Sequence, residues 1–451
     1  MVIKPSVSHI CTALLVAIAL LGLSAARPAA AAEGVSGADK LEEVIVTANK
    51  RQEKAFEVAN SITALSSEKL GLLPDFRNFA PLVPGLQLQQ ISASRNRLIL
   101  RGLNAGGSGA VVATVIDEMP LSFSTGNAAG AVTTTNPLTY DMQRIEVLRG
   151  PQGTIYGASS EGGLIKYVTN KPELGGWQGG FELGGVSVSG GQTAGSIKGF
   201  INLPLGETFA LRITGFTEDL PGYIDNILDG EKDMNRGSRK GGRIGALWQP
   251  TENLAISAQV AKQDLEVGAS NAVALVGAQT QLNAGQAQPT NRQDLKRGVA
   301  YDSALDERES SPMTYGYLQI DYDAPFAKIT SVTSKGTLTL DSRDDFSGRQ
   351  IRPGIPQYRF FGPGGPAPIY RVPLVSDARN EIKLTKKTQE LRVASLPDSK
   401  IGGLDLDWQI GGMVTDEFTD WTQSAGFYSA ADPNGPELVP PGGNAELDAP
   451  N

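Results

Sequence analysis

Histidine and cysteine, the usual carriers of nucleophilic, proton-shuttling and metal-ligating chemistry, occur once each in this chain, as His9 and Cys11. Both stand in a start laid out like a secretory signal peptide: Lys4, an apolar run from Ile10 to Leu23, and small residues Ala30-Ala31-Ala32 before Glu33. The run is too short for a comfortable membrane span, and Cys11 has no small-residue lipobox before it. Cleavage after Ala32, with Ala26 as the alternative, leaves a mature chain without thiol or imidazole. That excludes cysteine nucleophiles, disulfides, Ser-His dyads and His or Cys metal sites together. No catalytic residue, cofactor site or metal site is assigned, and an enzyme is not expected. Lys4 and Arg27 leave with the peptide, which takes the formal charge from −8 to −10. An acidic chain without a basic cluster is a poor partner for nucleic acid.

Two other stretches could bind rather than react. "LRGPQGTIYG", Leu148 to Gly157, has the glycine content of a phosphate-cradling loop. It lacks the Gly-Lys-Ser/Thr ending, and Pro151 removes a backbone donor. Gly150, Gly153 and Gly157 fit a tight turn that fixes neighbouring strands without any ligand. Arg101, Arg144, Arg149 and Glu146 offer no nucleophile or base and read as ion-pairing residues. Between 346 and 386, Phe346, Tyr358, Phe360, Phe361 and Tyr370 accompany Arg349, Arg352, Arg359 and Arg371. Cations among aromatics suit an acidic ligand, so Arg349, Arg352, Arg359 and Tyr358 are the ligand candidates. The segment 266–313 has one aromatic, Tyr301, and little surface for stacking sugars.

The elements that must position these residues change texture along the chain. Residues 33–55 are polar apart from "VIVT", Val44 to Thr47, whose β-branched residues favour an extended backbone. No partner strand or hairpin turn is evident beside it. Residues 56–172 read as an α+β domain, with strands expected at 97–101, 111–116, 144–148 and 162–169. Beyond 172, nine alternating segments stand out: 177–188, 194–203, 209–219, 239–249, 254–265, 314–322, 327–345, 387–396 and 405–417. Leu254, Ile256, Ala258 and Val260 share one face of the fifth, with Ser257 and Gln259 on the other. Trp177, Trp248, Tyr322 and Trp408 fall near segment ends, as interface belts require. Short connections such as "LPLGET" and "DAPFA" alternate with long ones at 220–238, 266–313 and 346–386, the asymmetry of a membrane barrel. No stretch after residue 32 is apolar enough for a transmembrane helix, so any membrane crossing must use strands.

"DMQRIEVLRGPQGTIYG", with "LVPGL", "LRGL", "IDEMP" and "GGLIKYVTNKP" in order around it, closely resembles the plug domain of TonB-dependent outer-membrane receptors. The resemblance covers residues 42 to about 172; the remainder is similar in style. It implies an α+β plug followed by antiparallel transmembrane β-barrel strands, in the outer membrane of a Gram-negative cell. "EEVIVTANKR" then looks like the TonB box (42–48), with Glu43, Val44, Ile45, Val46, Thr47 and Ala48 as its partner-binding residues. An isolated strand of this kind can add to a partner's sheet edge. Arg101, Gly102, Arg144, Glu146, Arg149, Gly150, Pro151, Gly153, Tyr156 and Gly157 carry the structural motif of the plug. The implied layout is signal peptide 1–32, flexible segment with TonB box 33–55, plug 56–172, and the N-terminal part of a barrel 173–451.

The implied activity is active uptake of a scarce nutrient, with a ferric siderophore as the favoured cargo. The partners are TonB, with ExbB and ExbD acting through it, and outer-membrane lipid. The competing readings are a passive or structural barrel, a soluble glycan-binding β protein and a non-functional fragment. Lys166 departs from the family, which usually has an uncharged polar residue there. Such barrels close with about 22 strands, whereas nine are read here, and "PELVPPGGNAELDAPN" is Pro/Gly-rich and lacks a terminal aromatic strand. The chain therefore reads as a truncated or split receptor, completed by a separately encoded C-terminal barrel half.

Overall fold

The computed structural model describes most of residues 45–429; residues 1–44 and 430–451 lie outside the description. So do 72–78, 104–108, 125–136, 227–230, 269–299, 302–306, 346–360, 367–373 and some shorter stretches.

A five-stranded mixed sheet forms the first body. Its strands are β3 (Ser61–Ser66), β6 (Val112–Ile116), β7 (Met119–Pro120), β8 (Met142–Arg149) and β9 (Gly163–Thr169), in the order β3-β8-β9-β6-β7. Only β6 and β9 run parallel, Val112 opposite Gly163. Every residue of β6 and β9 is buried, which explains why they read as nearly continuous apolar runs rather than alternating ones. One face packs Leu100, Ile116, Met119, Ile145 and Tyr167 against Tyr315, Leu338 and Leu384 of the surrounding wall. Each large apolar side chain so buried contributes on the order of 1.5–3 kcal/mol. A hairpin, β4 (Leu86–Gln90) with β5 (Asn96–Leu100), stands beside the sheet.

The second body is an antiparallel sheet whose nine long strands are Gln178–Ser187, Thr193–Pro204, Phe209–Leu220, Gly237–Thr251, Leu254–Val267, Met313–Ala324, Ala327–Asp345, Leu374–Ser395 and Gln409–Ser429. A short tenth strand, Arg308–Ser310, completes it among the described residues. Its polarity is inverted relative to a soluble protein. Lys198, Arg212, Arg243, Gln259, Lys386 and Arg392 are buried, while Phe181, Leu183, Ile197, Val260, Ile410 and Val414 are exposed. Alternating polar-in and apolar-out strands are what a membrane barrel wall requires. Trp248 and Tyr322 stand exposed near the short turns, at the edge of the apolar band.

Two boundaries differ from the sequence reading. The strand Leu374–Ser395 occupies the end of what reads as the external loop 346–386, and the last strand starts at Gln409 and extends to Ser429. On the first of these, Arg379, Glu381 and Lys383 face outward and exposed while Ile382 and Leu384 point in. The sheet continues here beyond the apolar band, so its outer face loses the apolar residues by which a membrane strand is recognised.

Candidate functional site

β1 (Ile45–Val46) is not alone: it pairs antiparallel with β2 (Glu53–Lys54), Ile45 opposite Lys54 and Val46 opposite Glu53. This corrects the expectation of an unpartnered strand in a flexible segment. The turn is closed by the Lys50 amide donating to the Thr47 carbonyl at 3.1 Å, with Lys50 in the left-handed region (φ 58°). Asn49 Nδ2 donates to Glu53 Oε2 at 2.8 Å and ties the two arms. Two charged residues with weak strand preference make an inconspicuous partner. Here they pair because the segment is pressed onto the plug.

Val46 and Ala48 are fully buried against Ala113, Val115, Leu148, Tyr156 and Leu164, while Ile45 keeps more than a third of its surface exposed. Glu43 and Val44 lie outside the described residues. The Thr47 amide donates to Glu146 Oε1 at 2.9 Å, and its hydroxyl reaches both carboxylate oxygens at 3.1 and 3.3 Å. Arg144 Nε holds the same carboxylate at 2.7 Å, so Glu146 is an ion-pairing residue that also seats the box. From the other side, the Tyr156 hydroxyl lies 3.0 Å from the carbonyls of both Thr47 and Ala48. Burial pushes its phenol well above the usual range, so it remains a donor, with one proton shared between two acceptors.

Charge reinforces this seat. Lys50 Nζ lies 2.5 Å from Glu390 of the barrel wall. Glu390 meets Arg392 at 3.0 Å, Arg392 meets Glu118 at 2.9 Å, and Glu118 meets Lys166 at 3.0 Å. The ring of Tyr156 sits between the two ends of this chain, 5.2 Å from Lys50 Nζ and 5.9 Å from Lys166 Nζ. Burial alone would raise the Glu118 carboxyl, but Lys166 and Arg392 overcome it and hold the group far below the usual carboxylate range. Burial lowers Lys50, against the opposing pull of Glu118 and Glu390. Lys166 therefore has a structural account: it is a buried counter-ion for Glu118. Arg51 adds bonds from Nη2 to Ser395 Oγ (2.8 Å) and the Trp408 carbonyl (2.7 Å). Both lie at the short connection after Ser395, which places the box at the short-turn rim.

The glycine-rich turn spends two of its backbone amides inside the plug. The Gly150 amide donates to Gly162 O at 3.0 Å and the Gln152 amide to Ser160 O at 2.9 Å. Pro151 has no donor. Gly153 opens a short helix, Gly153–Tyr156, whose end at Gly157 (φ +79°) turns the chain and points Tyr156 at the box. Arg101 (φ 53°) and Gly102 (φ 76°) form a left-handed turn, with the Arg101 amide donating to Gly85 O at 2.8 Å. Arg149 is the last residue of β8, opposite Ser61 and Gly163. These residues hold the plug's turns, and only Tyr156, Arg144 and Glu146 of the set converge on the box.

The long-loop rim meets the plug elsewhere. Arg95 Nε lies 2.6 Å from Glu309 and its Nη2 lies 2.5 Å from Asp344, while Ser92 Oγ donates to Glu309 at 2.5 Å. Between the rims, Asp141 accepts from Arg212 (2.5 Å), Arg243 (2.7 Å) and Thr214 (2.6 Å). A cleft of about 810 Å³ beside the outer rim is lined by Asp219, Glu231, Glu266 and Asp341 against Arg236 and Arg308. Arg349, Arg352, Tyr358 and Arg359 lie outside the described residues. Sequence reading missed Glu118, Asp141, Glu390 and Arg392, because their partners are up to 340 positions away. For Glu390 and Arg392 the one local signal is a charged residue recurring on the inward face of a strand; Glu118 and Asp141 stand in turns just before β7 and β8.

Residues 54–164 match the TonB-dependent receptor plug domain model. The pesticin receptor of Yersinia pestis is 33% identical over 140 residues, covering 29% of this chain and 19% of that protein. The vitamin B12 transporter BtuB of Vibrio vulnificus is 26% identical over 203 residues, covering 43% and 30%. The crystal structure of the ferric yersiniabactin uptake receptor FyuA from Yersinia pestis superposes with a TM-score of 0.60 at 18% identity, over 82% of this chain and 50% of that one. The chain thus spans a fifth to a third of those curated relatives and half of that solved structure. Residues 54–164 are thus a TonB-dependent receptor plug domain, seated in a strand wall that shares the fold of the solved receptor.

Proposed function

We propose that this chain serves TonB-dependent uptake of a scarce nutrient, with Ile45–Ala48 as the segment that TonB takes. One observation carries the reading: a strand-forming segment is held at the short-turn rim by a handful of separable contacts. Glu146 and Tyr156 seat it, and Lys50 and Arg51 fasten the following turn to the barrel wall. Such a segment can exchange a two-residue ladder for a longer one on a partner's sheet edge. ExbB and ExbD act through TonB in this scheme.

The cargo we propose is a ferric siderophore. The named relatives include a receptor for ferric yersiniabactin, and the Arg349, Arg352 and Arg359 cluster offers cations to an acidic chelate. The described outer rim is rich in carboxylates, so anion recognition falls on those arginines and Tyr358. The test is uptake and binding by Ile45→Pro. Proline cannot donate to a ladder, and Ile45 is partly exposed, unlike Val46. Binding of the ferric chelate persists while uptake is lost. Normal uptake at normal expression would remove the box assignment and favour a passive barrel.

A further inference from the structure

The charges around the box turn do not balance. Lys50, Lys166 and Arg392 bring three cations, whereas Glu118 and Glu390 bring two carboxylates. Each of these side chains is at most 12% exposed, so water screens the excess poorly. The neighbouring Arg144–Glu146 pair cancels itself at 2.7 Å, and at the rim Arg51 meets Asp407 at 3.3 Å. The cluster therefore holds one surplus positive charge while the box is seated.

The surplus traces to Lys166. Glu118 already has Arg392 as a counter-ion, and Glu390 has both Arg392 and Lys50. Glu146, opposite Lys166 in β8, is taken by Arg144 and the Thr47 amide. Lys166 is also the residue of β9 at which the sequence departs from the plug pattern. An uncharged side chain there would leave two cations and two carboxylates.

Of the three cations, Lys50 is the one placed to leave. Lys166 stands on the central strand of the plug sheet and Arg392 on the wall, but Lys50 lies in the turn that follows the box. When that turn lifts, Lys50 reaches water. Lys166, Arg392, Glu118 and Glu390 stay behind as a neutral quartet with both carboxylates still paired. A buried ion pair normally resists opening because the partner left behind has no counter-ion. Here Arg392 remains on Glu390. Burial pulls the Lys50 ammonium below its ordinary value against Glu118 and Glu390, and Arg392 adds to the pull.

We propose that Lys166 biases the box toward release: its buried charge is the surplus that makes Lys50 the cation to expel. The Lys50–Glu390 bond still holds the turn, but TonB meets a segment whose departure restores electroneutrality. This rests on Ile45–Ala48 being the segment that TonB takes, although its test needs no TonB.

Hydrogen exchange at the Thr47 amide of the full chain in detergent micelles reports the seated fraction. Lys166→Gln makes the seated cluster neutral, and Thr47 exchange slows at least about fivefold, the effect of removing a like charge within about 11 Å of Lys50. Lys166→Arg keeps the charge and the wild-type rate. Arg392→Gln reaches the same neutrality from the wall, with Lys50–Glu390 and Lys166–Glu118 still paired, and slows exchange likewise; it keeps the test decisive where Lys166→Gln does not fold. Unchanged or faster Thr47 exchange in either folded Gln variant overturns the proposal, as does equal slowing by Lys166→Arg. Normal uptake by Ile45→Pro would remove the TonB assignment and leave these rates untouched.

Discussion

Tyr156→Phe tests how the box is held. The change keeps the ring, its packing with Leu148 and Leu164 and its place between Lys50 and Lys166. It removes one hydroxyl proton shared by the carbonyls of Thr47 and Ala48 at 3.0 Å each. A neutral hydrogen bond contributes a net 0.5–1.5 kcal/mol, roughly. At about 1.4 kcal/mol per factor of ten, the opened population of the box should rise roughly 2- to 12-fold. The reporter is the Thr47 amide, which donates to Glu146 only while the box is seated. Hydrogen exchange at Thr47 should quicken by that factor, while amides of β9 keep their wild-type rates. A soluble TonB domain should bind more tightly by the same factor, because its apparent affinity scales with the competent fraction. Unchanged Thr47 exchange would refute the role of the hydroxyl. Equal acceleration throughout the plug would show a general loss of stability instead.

Val46→Pro should impair both uptake and plug stability, unlike Ile45→Pro, because Val46 is fully buried; thermal melting of the two variants separates these effects. Gly163→Ala should destabilise the plug by about 2–3 kcal/mol or more. Its φ is +138°, and an added Cβ would lie 2.2 Å from the Leu148 carbonyl; limited proteolysis of the plug reports the loss. Asp141→Asn should cost about 3 kcal/mol near neutrality by leaving Arg212 and Arg243 buried without their anion. Burial would raise the Asp141 carboxyl, but the bonds and charges of Arg212 and Arg243 lower it below its ordinary 3.8. Its stabilisation is thus complete above pH about 4 and fades as the pH falls through the lowered value. The difference in Tm between wild type and variant should be constant from pH 8 to 5 and shrink in stronger acid. A constant gap down to pH 2 would count against the charge assignment.

The sequence by itself determined the elements that depend on local pattern. Period-two alternation located all nine long strands, since each must turn one face to lipid and the other inward. The glycines of "LRGPQGTIYG" announced a turn because Gly150 and Gly157 require positive φ. Alternation failed where its cause ends: Arg379, Glu381 and Lys383 belong to a strand standing clear of the apolar band. Only the tertiary structure decided where the box goes. Glu53 and Lys54 do not resemble a partner strand, and Glu146 and Tyr156 read as turn and ion-pair residues until Thr47 is placed between them. The charge chain from Lys166 through Glu118, Arg392 and Glu390 to Lys50 joins residues from both ends of the described chain. No spacing rule encodes it. A buried charge takes whatever counter-ion the closed wall brings within about 3 Å, and that neighbour is fixed only when the wall folds around the plug.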